Sequence, residues 1–201
     1  SVYVVNNKLL FEYVKKIKRN ERKGEFYLTD IVSLMHQDHK VNTFVVRNPM
    51  VTMGINDLYG ISIAEKYLRE SINKSHMLNG VSIVNPETVT ISHNAIIEPG
   101  VWIYPNSVIL GNSVIKAGAI IGPNAEVNDS IIHEKAEIRH SIVKDSEVGE
   151  NTTVGPFAHL RNHAVVGKDN RIGNFVEIKN SSTAENTKAA HLIYIGDAEV
   201  G

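Results

Sequence analysis

The chain has 201 residues, 42% hydrophobic and 21% charged, with 21 Lys+Arg against 22 Asp+Glu and a formal net charge of -1. That apolar share at near-zero net charge excludes a disordered chain, and the lack of a basic excess argues against a general nucleic-acid binder. Zero Cys removes disulfides, thiolate zinc sites and cysteine nucleophiles, while no apolar run reaches the roughly 18 residues of a membrane helix and no signal-peptide pattern opens the sequence. A protein with no membrane or nucleic-acid partner, located in the cytoplasm, is the expectation.

The stretch up to Gly80 reads as mixed α/β. Val2-Tyr3-Val4-Val5 is a β-prone run, and Asn6-Asn7 offers caps for a helix through Leu10, Val14 and Ile17. Thr29-Asp30 caps a second helix through Ile31, Leu34 and Met35, and Thr43-Phe44-Val45-Val46 reads as another strand. After the loop Gly54-Ile55-Asn56-Asp57 comes a third helix, with an apolar stripe of Ile61, Ala64, Leu68 and Ile72 and a stop before Asn79-Gly80. Glu65/Arg69 and Glu70/Lys74 sit four apart in the favourable order for helix ion pairs.

Beyond Gly80 the grammar changes. Ile91, Ile97, Ile103, Ile109, Ile115, Ile121 and Val127 recur at every sixth position, and the register resumes at Val148, Val154, Leu160, Val166, Ile172 and Ile178. Between them the pattern slips through Ile132, Ile138 and Val143, which predicts a bulged corner or a small excursion near residues 128–147. A period of six suits a parallel β-helix in which three hexads complete a triangular coil and each aliphatic stacks on its equivalent one coil above. Ten of the 14 Gly lie at position 100 or later, where corners need positive φ or close backbone approach.

Hexads of this kind resemble the hexapeptide-repeat acyltransferases, which implies a left-handed coil. Longer strings are similar to the bacterial bifunctional enzymes that make UDP-N-acetylglucosamine. They include Gly155-Pro156-Phe157-Ala158-His159-Leu160-Arg161, the run from Ile172 to Lys179, and His191-Leu192-Ile193-Tyr194-Ile195-Gly196-Asp197. Upstream, the run from Gly24 to Asp30, Gly54-Ile55-Asn56-Asp57 and the run from His76 to Val81 match the end of the family's uridylyltransferase domain and its linker. The resemblance divides the chain into the C-terminal part of an α/β nucleotidyltransferase domain at 1–57, a linker helix at 58–80 and a left-handed parallel β-helix acetyltransferase domain at 81–201. It implies acetyl transfer from acetyl-CoA to glucosamine-1-phosphate, then uridylyl transfer from UTP with Mg²⁺ to give UDP-N-acetylglucosamine. It also implies a homotrimer.

Within that resemblance His191 matches the general base, and an imidazole titrating near neutrality suits removal of a proton from an attacking amine. Glu177, on the preceding coil, is a candidate to orient it. Arg161 and Lys179 match sugar-phosphate ligands; they stand three hexads apart, each just after an inward aliphatic, so that two stacked cations await an anion. Tyr194 matches a sugar contact through its hydroxyl. Asn56 matches a metal and nucleotide contact of the uridylyltransferase, although an Asn ahead of a helix also reads as a cap.

Two departures stand out. Asn162-His163 follows Arg161 where the family has Pro-Gly, and the family's glycine-rich UTP loop and its Mg²⁺-binding aspartate are not in this sequence. The expectation is an internal piece of a longer enzyme, inactive in uridylyl transfer and with acetyl transfer absent or severely reduced. Two other readings compete: a metal enzyme of γ-carbonic-anhydrase type built on His133, His140, His159, His163 and His191, and a non-catalytic trimerisation scaffold.

Overall fold

The computed structural model describes residues 2–201. The chain divides into two compact units, Ser1–Ala64 and Glu65–Gly201. In the first unit helix α1 (Asn7–Val14) starts where the Asn6 side chain accepts from Lys8 N at 3.1 Å. It packs on α2 (Asp30–Asp38) around a small core of Tyr13, Ile31 and Met35, and the Tyr13 hydroxyl donates to Asp38 at 2.7 Å. The strands expected at Val2–Val5 and Thr43–Val46 do not form, and both stretches are unassigned backbone with Val4 and Phe44 almost fully exposed. A β-prone run marks only side chains that fit a pleated surface; the strand itself needs a ladder partner, and none lies beside either run among the described residues.

The division between units falls within α3 (Leu58–Leu78). Its buried face in the second unit differs from the expected stripe: Leu68 is exposed, whereas Ile72 packs against the β-helix core and Asn73 is buried. The Asn73 amide donates to the carbonyls of Pro86 and Val89, both at 2.9 Å, so a polar side chain takes the inward place by bonding backbone oxygens of the first coil. The ion pair on this helix is Lys66–Glu70 rather than the expected ones. No helix of the described residues is long and apolar enough to cross a membrane.

From Ser82 onward the chain winds through three seven-stranded parallel sheets, each strand pairing with its equivalent one coil away. The first sheet runs from Ser82–Ile83 to Lys188–His191, the second from Thr90–Ile91 to Tyr194–Gly196, and the third from Ile96–Ile97 to Glu199–Val200. Ile103, Ile109, Ile115, Ile121, Ile132, Ile138, Leu160, Ile172 and Ile178 are completely buried, forming one continuous core along the axis. Two positions before most of them sits a small residue, such as Ser107, Ala119, Ser130 or Ala136, also buried at the corner.

The slip in the hexads is a shortening of the coil and not a bulge. Ile121 pairs with Ile138, and Val127 with Val143, so the second of these coils is shorter than the first, and both are shorter than the coil from Ile109 to Val127. The shortened corners turn at Asp129, His140 and Asp145 with φ of 44°, 45° and 46°. Asp tolerates this left-handed backbone because its short polar side chain bonds locally, and the inward aliphatic stays in register despite the shorter corner. The Asn162-His163 departure is absorbed the same way, by two successive left-handed residues at φ 52° and 64°.

Each fully buried aliphatic stacks on two others, so Ile121→Ala should destabilise the protein by about 2–5 kcal/mol. Ile96→Ala, on an outward position 61% exposed, should cost less than about 0.5 kcal/mol. Urea unfolding of the two variants side by side checks the assignment of inside and outside.

Candidate functional site

The second sheet brings four of the family-matched residues into two outward rows. His159, Glu177 and Tyr194 occupy one row on successive coils; Arg161, Lys179 and Gly196 occupy the other. Strand alternation explains the placement, since the residues flanking the buried Leu160 and Ile178 and the half-buried Ile195 must point away from the core. Tyr194 is 60% exposed, yet a Cβ on Gly196 would collide with its hydroxyl, so the phenol lies across bare glycine backbone beside the lysine row.

His191 closes the strand Lys188–His191 of the first sheet, one corner before Tyr194. It pairs with Asn174, and Leu192 N donates to the Asn174 carbonyl at 3.1 Å. Gly173 permits this approach, because a Cβ there would run into the carbonyl oxygen of Ala190. The imidazole is exposed, and Glu177 does not orient it. Glu177 instead accepts from Arg161 Nε at 2.7 Å, a pairing that leaves the two terminal guanidinium nitrogens for another acceptor.

Nor do Arg161 and Lys179 stand as two uncompensated cations. Lys179 Nζ lies 3.1 Å from Asp197 Oδ2, and Asn180 Nδ2 donates to Asp197 Oδ1 at 2.7 Å. The spacing argument identified the cations and missed the carboxylates, although Asp197 stands one further coil beyond Lys179 in the same rhythm. The Asn180 amide, then the Lys179 ammonium, hold the Asp197 carboxyl below the ordinary aspartate range; the charge of Arg161 adds to this.

The histidines of the competing metal reading are scattered. His133 Nε2 pairs with Glu147 at 2.6 Å, and the His140 ring lies 5.9 Å from that of Phe157. No group of three His, Asp or Glu side chains suited to a metal ion forms among the described residues. Asn56 is exposed in the first unit, ahead of α3, and Asp57 beside it is the cap, its Oδ1 accepting from Gly60 N at 2.6 Å. Mg²⁺ takes about six oxygens in octahedral array. One amide oxygen does not hold it, so the described residues alone do not fit that ion.

A parallel β-helix with this outward face defines the class. Residues 80–195 match the family described as the GMPPB C-terminal domain, and the chain belongs to that family. Among curated relatives, Bifunctional protein GlmU of Acholeplasma laidlawii (strain PG-8A) is 61% identical over 200 residues, covering 100% of this chain and 44% of that protein. Bifunctional protein GlmU of Clostridium novyi (strain NT) is 42% identical over 201 residues, again covering 100% of this chain and 44% of the relative. The chain therefore spans less than half the length of these relatives. A solved structure of a putative acetyltransferase from Bacillus cereus superposes with a TM-score of 0.53 at 16% identity, covering 59% of this chain and 75% of that one. That likeness shows the fold, a left-handed parallel β-helix.

Because its folded-state pKa is depressed, Asp197 contributes stability above the unfolded aspartate value of about 3.9, and that contribution is lost as pH falls through the folded pKa. Asn180→Ala and Lys179→Met should each raise the Asp197 pKa. An NMR titration of the Asp197 carboxyl carbon reads both shifts.

Proposed function

We propose that this chain belongs to a bifunctional enzyme that acetylates glucosamine-1-phosphate from acetyl-CoA on its β-helix, and that its site residues are His191, Arg161, Lys179 and Tyr194. The observation that carries this reading is the in-register stack of Arg161 on Lys179, one corner from an exposed imidazole. The 61% identity to a bifunctional relative over the whole chain supports it.

In this mechanism the free guanidinium nitrogens of Arg161 and the Lys179 ammonium bind the phosphate, and the Tyr194 hydroxyl meets the sugar. His191 takes a proton from the substrate ammonium. The freed lone pair attacks the thioester carbonyl, a C–N bond forms, the C–S bond breaks, and the second proton shed by the acylated nitrogen passes to the departing coenzyme A thiolate. Nothing but the imidazole is required to change protonation state, which suits a chain without Cys.

In the same reading, residues 1–57 belong to a uridylyltransferase domain, 58–80 form a linker and 81–201 carry acetyl transfer. Asn56 would face the nucleotide of a site that uses UTP and would supply at most one of the oxygens that Mg²⁺ needs there, and the enzyme works in the cytoplasm. Homotrimer formation completes the acetyl-transfer site between neighbouring β-helices. A corner ladder supports that assembly: Phe157 and Phe175, with ring centroids 5.6 Å apart, are followed one coil on by Leu192, all three exposed at positive φ. Bulky apolar residues are rare in that backbone region, and here three consecutive coils keep them outward.

Two outcomes test the reading in the full protein carrying this sequence. His191→Ala should lower acetyl-CoA-dependent thiol release by about 10²–10⁴-fold, with thermal stability unchanged. Activity surviving in that variant rejects the assignment. Phe175→Asp should shift the protein from trimer to monomer in sedimentation velocity while leaving its circular dichroism intact.

A further inference from the structure

The outward face of the second sheet carries an alternating run of charge across three coils. Arg161 reaches to Glu177 on the next coil, at 2.7 Å, and Lys179 reaches to Asp197 on the one after, at 3.1 Å. Two cations are matched by two carboxylates. A pocket built for a phosphate alone would carry an excess of positive charge, because every nearby carboxylate repels a dianion. This one is formally neutral, and its second carboxylate is held in place from two sides, by Lys179 and by Asn180 Nδ2 at 2.7 Å.

We propose that Asp197 is a specificity-determining residue that makes this a site for a zwitterion, an amino sugar phosphate, and favours it over the acetylated product. The proposal rests on the acetyl-transfer reading above. In glucosamine-1-phosphate the C2 amine adjoins the C1 phosphate, so a phosphate seated on Lys179 brings the ammonium towards the carboxylate that Lys179 already touches. Acetylation turns the ammonium into a neutral amide. The product keeps the dianion and loses its only cationic group, so the same carboxylate that draws substrate in weakens the hold on product. Asp197 needs no part in the proton transfer to do this.

Calorimetric titration at about pH 6.5, where a sugar amine is ammonium, reads the effect in the full protein. The ligands are glucosamine-1-phosphate, N-acetylglucosamine-1-phosphate and inorganic phosphate, and the proteins are wild type, Asp197→Asn and Asp197→Glu. Asn suits the corner, where Asp197 sits at φ 54°. Wild type should prefer the amino sugar. Asp197→Asn should reduce that preference by about twofold to fivefold, the upper part of the range for an exposed charge pair, and bind the acetylated sugar and inorganic phosphate more tightly. Asp197→Glu should keep most of the preference. Equal weakening of all three ligands in Asp197→Asn would mean that Asp197 merely holds Lys179, and overturns the proposal, as does an unchanged preference. Indifference of wild type to the amine overturns it without any variant. Wild type that binds neither sugar phosphate overturns the acetyl-transfer reading itself, a result distinct from binding both alike.

Discussion

Everything in the β-helix depends on one constraint: a residue and its equivalent one coil later must stack in register, backbone to backbone and aliphatic on aliphatic. The parallel ladder fixes the backbone part. Trp102 N donates to Ala119 O, Ile120 N to Ala136 O, and so on along the axis, so no strand can slide without breaking every bond to its neighbour. The interior fixes the rest, because a one-residue slip would turn Ile138 outward and bring Glu137 or Arg139 into a dry column. Corner length is then free to vary. Coils of unequal length coexist because register is restored at each strand, whatever the corner between them contains.

The same constraint builds the candidate site. Arg161 and Lys179 are neighbours because Leu160 and Ile178 are stacked, and Tyr194 joins them because Ile195 follows in the same column. His191 reaches its place through a different device, the absence of a side chain at Gly173, which lets the strand Lys188–His191 lie close against the one below. Packing in the core and bareness at one glycine thus set the positions of groups that themselves lie in solvent.

What the sequence disclosed follows from the same physics. A buried aliphatic at every sixth position is a periodic signal, and periodicity survives in a linear string; the β-helix and the rows containing Arg161 and Lys179 were readable from it. Ion pairing is not periodic in that sense. That Glu177 would turn to Arg161 and not to His191 depends on where side chains end, and the string records only where they begin. The corners were half legible: Asp129, His140 and Asp145 are residues that accept left-handed backbone, but a shortened corner looks, in the string, the same as an insertion elsewhere. The runs Val2–Val5 and Thr43–Val46 misled for a plainer reason, since β-propensity describes half of a contact whose other half must come from a partner strand.

The ladder has a further consequence as a ruler. Neighbouring strands stand about 4.8 Å apart, so charges on successive coils are delivered at a pitch that substitution of the side chains cannot alter. Lengthening Lys179 to Arg would change how far its charge reaches from the face, and leave its interval from Arg161 as it was. A ligand that bridges these rows must therefore match a spacing set by backbone hydrogen bonding itself. Its selection along the axis is quantised in coils, while selection outward from the sheet remains open to every change of side chain.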